Sequence, residues 1–342
     1  MIPIQNIYYM LSFAFQTLKA ESYSHMETES FDNVADLCAA ILYRGVTLQI
    51  KRGLGHEYME KTEPLSALRG RIDMGESVKT RSMTRQQLVC SYDDFTVNYP
   101  LNQIIKTTME VLLREEIQKA RKRELRKLLV YFNEVDSIDI HTINWNIQYH
   151  RNNEAYRMLI FICQLVIKGR IQADTDGAAK LLHFTDEHMH RLYEKFILEY
   201  YRREHKELKA TASQIPWALD DGIATDLPIM QSDIMLTKGN HVLIIDAKYY
   251  SHTMQNQYGA NTIHSANIYQ IFTYVKNKEK DFKDENHTVS GMLLYARTDE
   301  QQQPDGTYQM SGNRISVKTL DLNCEFKEIA KQLDKIAFSI SN

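Results

Sequence analysis

Asp233 and Asp246, with Lys248 two residues further on, fall within the stretch MQSDIMLTKGNHVLIIDAKYY from Met230 to Tyr250. Gly239-Asn240 tolerates the positive φ of a two-residue hairpin turn. With Lys238 opposite His241, counting five residues away from the turn on each strand sets Asp233 opposite Asp246. A slip of one residue would send the two carboxylates to opposite faces. Alternation puts Lys248 on the face of Asp246 and turns Ala247 away. Facing carboxylates have Cβ atoms about 5 Å apart and repel each other. Removing either from water costs several kcal/mol unless something compensates. A divalent cation compensates well. Mg²⁺ takes oxygen ligands, keeps several waters, and is commonly held by one or two carboxylates beside a substrate phosphate. The chemistry on offer is hydrolysis of a phosphate ester by metal-activated water. Asp233, Asp246 and the carbonyl of Ala247 are the candidate metal-holding groups. Lys248 would stabilise developing negative charge or position the water.

A plainer reading competes with this one. Asp-x-Lys in a strand is also the pattern of a solvated edge, where an ion pair contributes about 0.2–1 kcal/mol. The four consecutive large apolar residues Val242-Leu243-Ile244-Ile245 weigh against it. Such a run reads as a strand buried on both faces.

Asp233 followed by Asp246-Ala247-Lys248 resembles the core of the PD-(D/E)XK nuclease superfamily. The wider pattern is narrower in its implication. SDI…VLIIDAKYY, then HSANIYQIFTY, together with the opening IPIQNIYYMLSFAF, resembles the McrC family, the nuclease subunit of the McrBC modification-dependent restriction system. The resemblance is strong at both ends and weaker from about Lys119 to Lys180. It implies an α/β fold: a C-terminal PD-(D/E)XK (restriction-endonuclease-like) domain with a mixed central sheet flanked by helices. An α+β N-terminal domain with a small β-rich module would precede it. It also implies a Mg²⁺-dependent DNA endonuclease subunit of a GTP-dependent system directed at 5-methylcytosine-type modification. The implied partner is McrB, an AAA+ GTPase hexamer, whose ring the N-terminal part enters and whose GTP hydrolysis it stimulates. Recognition of the methylated base then falls to the partner. No G-x-x-x-x-G-K-[ST] segment occurs in the chain, which fits a nucleotide site held elsewhere.

The same resemblance marks supporting residues. Glu194, in Leu192-Tyr193-Glu194-Lys195-Phe196, lies where the superfamily carries a helical acid. It would hold a metal-bound water or orient Lys248, and it reads equally well as a surface glutamate. Gln270 and Tyr274 are four apart, so they share a helix face, in the Gln-x-x-x-Tyr helix that follows the catalytic strand. Two rival functions remain at this stage: a non-catalytic ring-binding activator on a nuclease-like fold, and a stand-alone structure-specific nuclease.

The chain must build elements that position these groups. Its 342 residues suffice for two domains, expected at 1–150 (partner-engaging) and 151–342 (nuclease). The formal charge of −3 means that any nucleic-acid surface is local or is supplied by a partner. Cys38, Cys90, Cys163 and Cys324 lie far apart without zinc spacing and read as free thiols in a reducing cytoplasm. No stretch is long and apolar enough to span a membrane. The apolar opening reads as a buried helix over Ile4–Ala20, with Asn6 its N-cap. A second helix is expected over Phe31–Tyr43, ended by Gly45. A β-rich module follows from about 46 to 94, beginning with the alternating Val46–Ile50. Within it, Arg69 and Arg71 are either partner or DNA contacts or satisfied turn arginines. Tyr99–Phe132 reads as one long helical region. Its basic run over 119–127 would either track phosphates or form a solvated face. Further helices are expected over Asn153–Lys168 and Thr185–Arg202. His188 and His190 diverge on a helix and are given no ligand role. Ser265 would cap the Gln-x-x-x-Tyr helix. Gly291–Tyr295 reads as a strand beside the catalytic one, Arg314–Leu320 as an edge strand, and Glu325–Phe338 as a closing helix.

Overall fold

The computed structural model describes residues 2–15, 18, 29–175, 186–221, 225–250, 254–257, 260–282 and 286–340. In chain order, α1 (Ile4–Ala14) and α2 (Val34–Arg52) lead to β1 (Glu57–Leu65), β2 (Arg71–Ile72), α3 (Met74–Lys79) and β3 (Leu88–Thr96). Four helices follow: α4 (Pro100–Arg114), α5 (Lys119–Leu129), α6 (Arg157–Thr175) and α7 (Asp186–Glu204). Then come β4 (Lys209–Thr211), β5 (Gln214–Ile215), β6 (Met230–Gln231), β7 (Ile234–Lys238), β8 (His241–Lys248), β9 (Met254–Gln257) and β10 (Ala260–Ile263). The chain closes with α8 (Ser265–Glu279), β11 (Thr288–Ala296), β12 (Gly306–Met310), β13 (Asn313–Leu320) and α9 (Phe326–Phe338).

Two compact units result, Met1–Ser30 with Phe184–Asn342, and Phe31–His183. The division expected at 150 is therefore displaced. α6 belongs with the helices before it, and α1 belongs with the C-terminal half.

In the Phe31–His183 unit, the Asn33 side chain caps α2 by accepting the Asp36 N–H at 2.9 Å. The helix runs through Gly45 and stops at Gly53, where φ is +86°. Val46–Ile50 is helical, contrary to the strand expected there. Val46 and Gln49 are buried and follow Leu42 at helical spacing, so packing against α5 and α6 overrides the β-propensity of the run. The β-rich module is instead a three-stranded antiparallel sheet, ordered β1-β3-β2. In it Arg69 stacks over the Tyr92 ring at 4.1 Å and pairs with Asp94 at 3.6 Å, a satisfied arginine. The expected long helix is two, broken at Glu115, whose ψ of 165° is extended.

In the other unit the sheet is ordered β12-β13-β11-β8-β7-β4. β8 and β13 both run parallel to β11, and the remaining pairs are antiparallel. The architecture is thus mixed α/β with a mixed central sheet. Gly239, with φ +57°, closes the β7–β8 turn, and Lys238 pairs with His241 and Ile234 with Ile245, the expected register. β8 is interior, and every residue from Val242 to Lys248 is buried. One face of the sheet packs Val242, Ile244, Leu293 and Val317 against Ile271 and Val275 of α8. Gly291 permits that approach, since a Cβ there would sit 2.7 Å from Ile271 Cγ1. α7 packs on β4, β7 and β8.

Three smaller expectations change. β13 is interior and β12 holds the edge. Asn6 lies inside α1, capped instead by Pro3, and its amide donates to the Leu322 and Cys324 carbonyls at 2.8 Å each. His264, not Ser265, stands at the N-cap of α8. Thr185 lies outside the described residues.

Candidate functional site

The apolar run of β8 carries its last residues into the sheet interior, so Asp246 is 2% exposed. Asp233 directly precedes β7, and the hairpin register brings it beside Asp246. Its Oδ2 accepts the Ala247 N–H at 2.9 Å. The two carboxyls are close enough for the charge of Asp246 to act on Asp233. Lys248 Nζ lies 2.9 Å from Asp246 Oδ2. That oxygen is fully buried, and the lysine approaches it outside hydrogen-bonding alignment, so the contact is one of charge and the oxygen accepts no hydrogen bond. α8 supplies the next layer. Gln270 Oε1 accepts from Lys248 Nζ at 3.2 Å, and Gln270 Nε2 donates to the Tyr274 hydroxyl at 3.0 Å.

The electrostatics follow from burial. Desolvation, then the Asp246 charge, then the Glu194 charge push the Asp233 carboxyl up, against the Ala247 N–H that favours ionisation. Desolvation raises Asp246 as well, although Lys248 pulls it down. For Lys248 desolvation opposes the ammonium, but Asp246 outweighs it and holds the pKa above its ordinary value.

Glu194 sits on α7 and lines a cavity of about 330 Å³ together with Arg191, Lys195 and Asp233. Its charge reaches both aspartates, yet its hydrogen-bonding partner is His190, with Nε2 2.9 Å from Oε1. His190 Nδ1 in turn accepts the Tyr249 N–H at 3.4 Å, one residue beyond Lys248. Sequence alone assigns His190 no role, because on a helix it diverges from His188 and the two make no ligand pair. The available signal was its i,i+4 spacing to Glu194. A larger cavity of about 670 Å³, lined by Tyr249, Tyr250, Arg297 and Asp321, contains none of the three central side chains.

Among the described residues no three His, Cys, Asp or Glu side chains form a ready metal-binding group. The donors at hand are two neighbouring carboxylates, one with a buried oxygen that accepts no hydrogen bond. This set fits a hard dication that keeps most of its own waters, and does not fit a protein-caged zinc. Among the described residues no helix is long and apolar enough to cross a membrane.

The McrBC family model, described as McrBC 5-methylcytosine restriction system component, matches residues 5–296. The type IV methyl-directed restriction enzyme EcoKMcrBC of Escherichia coli strain K12 is 27% identical over 340 residues, 97% of this chain and 96% of that protein. Among solved structures, a half-complex of Thermococcus gammatolerans McrB AAA+ hexamers with bound McrC is similar at 17% identity and a TM-score of 0.48, covering 98% of this chain and 76% of that one. The Thermococcus gammatolerans McrBC complex is similar at 18% identity and a TM-score of 0.43, over 59% of this chain and 58% of that one. The family match takes in the α1 opening, the β7–β8 hairpin and α8, and the chain belongs to the McrBC family of 5-methylcytosine restriction system components.

Proposed function

We propose that this chain is the nuclease subunit of a modification-dependent restriction system. It would be a Mg²⁺-dependent endodeoxyribonuclease whose PD-(D/E)XK domain is the unit holding the six-stranded sheet. The observation that carries this reading is the buried trio of Asp233, Asp246 and Lys248 at the β7–β8 hairpin. Asp233 and Asp246 would hold the cation, with the Ala247 carbonyl as a further oxygen. Bound Mg²⁺ supplies positive charge against the phosphate and a water of lowered pKa. Lys248 offers its ammonium where the phosphate becomes more negative. Gln270 fixes Lys248, and Tyr274 fixes Gln270. Glu194 positions a water on the Asp233 side.

A GTP-dependent reaction needs a partner, since the chain has no Walker-type segment. A McrB-like AAA+ GTPase hexamer is the partner that family membership points to. The small sheet module of the Phe31–His183 unit supports a docking role. Tyr58 is 69%, Leu68 61%, Val78 64% and Phe95 59% exposed, an unusual concentration of large apolar side chains.

Cleavage of 5-methylcytosine-containing DNA with the GTPase partner, GTP and Mg²⁺ tests this. Asp246→Asn and Lys248→Ala are expected to lower the rate by about 100- to 1,000-fold, with GTPase stimulation kept. Wild-type cutting by Asp246→Asn would refute the assignment. Cutting without the partner would favour a stand-alone nuclease.

A further inference from the structure

α5, KARKRELRKLL, holds six cations and one acid in 11 residues, in a chain whose net charge is −3. The acid is already matched. Glu124 Oε2 lies 3.0 Å from Arg121, which is itself buried on the inward face with Leu125 and Leu128. The other five cations are Lys119, Lys122, Arg123, Arg126 and Lys127. None has an ion-pair partner among the described residues. At 3.6 residues per turn they share an arc of about 140° on the face opposite the buried one.

A merely solvated face would look different in this protein. Elsewhere on its helices several exposed cations are matched one turn away, Arg157 by Glu154, Arg191 by Glu187 and Lys331 by Glu328. Those unmatched among the described residues, such as Lys51, Arg52, Arg114, Lys327 and Lys335, are scattered over three helices rather than gathered on one face. On α5, Lys119 and Arg123, Lys122 and Arg126, and Arg123 and Lys127 are like-charge pairs at i,i+4, each of which destabilises the helix. Immediately beyond, Val130 and Tyr131 are 72% and 60% exposed, placing an aromatic ring next to the charges. Glu116 and Glu134, the nearest acids in sequence, pair with none of the five. The face spans about 12 Å at 1.5 Å per residue. Duplex DNA carries a charge every ~1.7 Å of axis, so such a face meets several phosphates at once.

We infer that α5 is a binding surface for the phosphate backbone of duplex DNA. The choice of DNA as the polyanion rests on the nuclease reading above. The contacts are to phosphate and therefore independent of base sequence and of methylation.

The test is equilibrium binding of the full chain to an unmethylated duplex by fluorescence anisotropy, in EDTA, across a salt series from about 50 to 200 mM. A variant combining Lys122→Gln, Arg123→Gln, Arg126→Gln and Lys127→Gln is expected to bind about 10- to 100-fold more weakly, with a log–log salt slope shallower by about 3 to 4. Arg126→Gln alone is expected to flatten the slope by about 0.9, which decides the matter if the fourfold variant fails to fold. Arg123→Lys with Arg126→Lys keeps the charge and the slope. Unchanged affinity and slope in the neutralised variants would overturn the proposal. So would loss of GTPase stimulation with DNA binding intact, which would mark α5 as a protein contact. Asp246→Asn, which leaves α5 intact, is expected to lose cleavage. If it still cut DNA the nuclease reading would fail, while the anisotropy would continue to judge α5 by itself.

Discussion

Asp233 and Asp246 lie close together where water is largely excluded, so they titrate as a pair. Burial, then Asp246, then Glu194 raise Asp233 above the ordinary 3.8. A carboxyl raised in this way binds more protons folded than unfolded. Its contribution to stability is full below the unfolded value and is lost as pH rises through the raised folded value. Asp233→Asn removes that loss. Thermal melts in EDTA at about pH 5 and about pH 8.5 are expected to show the variant gaining on wild type at the higher pH, by about 2–4 °C per kcal/mol. An equal gap at both pH values would contradict this. Under the proposed function His190 would act through Glu194, whose Oε1 lies 2.9 Å from its Nε2. His190→Ala is expected to lower kcat about 10-fold with KM little changed, and His190→Gln, which can still donate, to recover much of it. Equal kcat in all three would show that Glu194 needs no such support. The three central residues were legible in sequence because a two-residue turn and strand alternation fix which side chains meet. Lys248 meeting Gln270 was not, because no local rule sets how a helix lies on a sheet. The family resemblance supplied that pairing of elements instead.

At the scale of elements, the hairpin, α8 and α9 were readable from periodicity and turn chemistry, and α2 was not. Val46-Thr47-Leu48-Gln49-Ile50 alternates like a strand, but its burial is helical, and only the helices packed on α2 reveal that. The exchange of edge between β12 and β13 is of the same kind, since strand order depends on crossovers rather than on the strand's own pattern. Gly291 offers a test at this scale. A Cβ there would meet Ile271 Cγ1 at 2.7 Å and Val275 Cγ2 at 2.9 Å. Gly291→Ala is expected to cost about 1–3 kcal/mol by overpacking, and to reduce cleavage by shifting α8 and with it Gln270. Chemical denaturation reads the first effect and single-turnover cleavage the second. A variant as stable as wild type would show that α8 adapts freely.

For the whole molecule, length and patterning indicated two units but not their membership. α1 opens the chain yet binds the C-terminal segment through Asn6, and Tyr9 stacks on Phe326 at 4.6 Å. Contacts across more than 300 positions leave no local trace in sequence. The unit so closed holds a carboxylate pair that burial pushes toward keeping a proton. Under the proposed function a metal ion would take the place of that proton. Anomalous diffraction from crystals grown with Mn²⁺ tests this most directly. The account predicts a peak about 2.1 Å from carboxylate oxygens of both Asp233 and Asp246. A peak elsewhere, or none in a preparation that still cuts DNA, would contradict it.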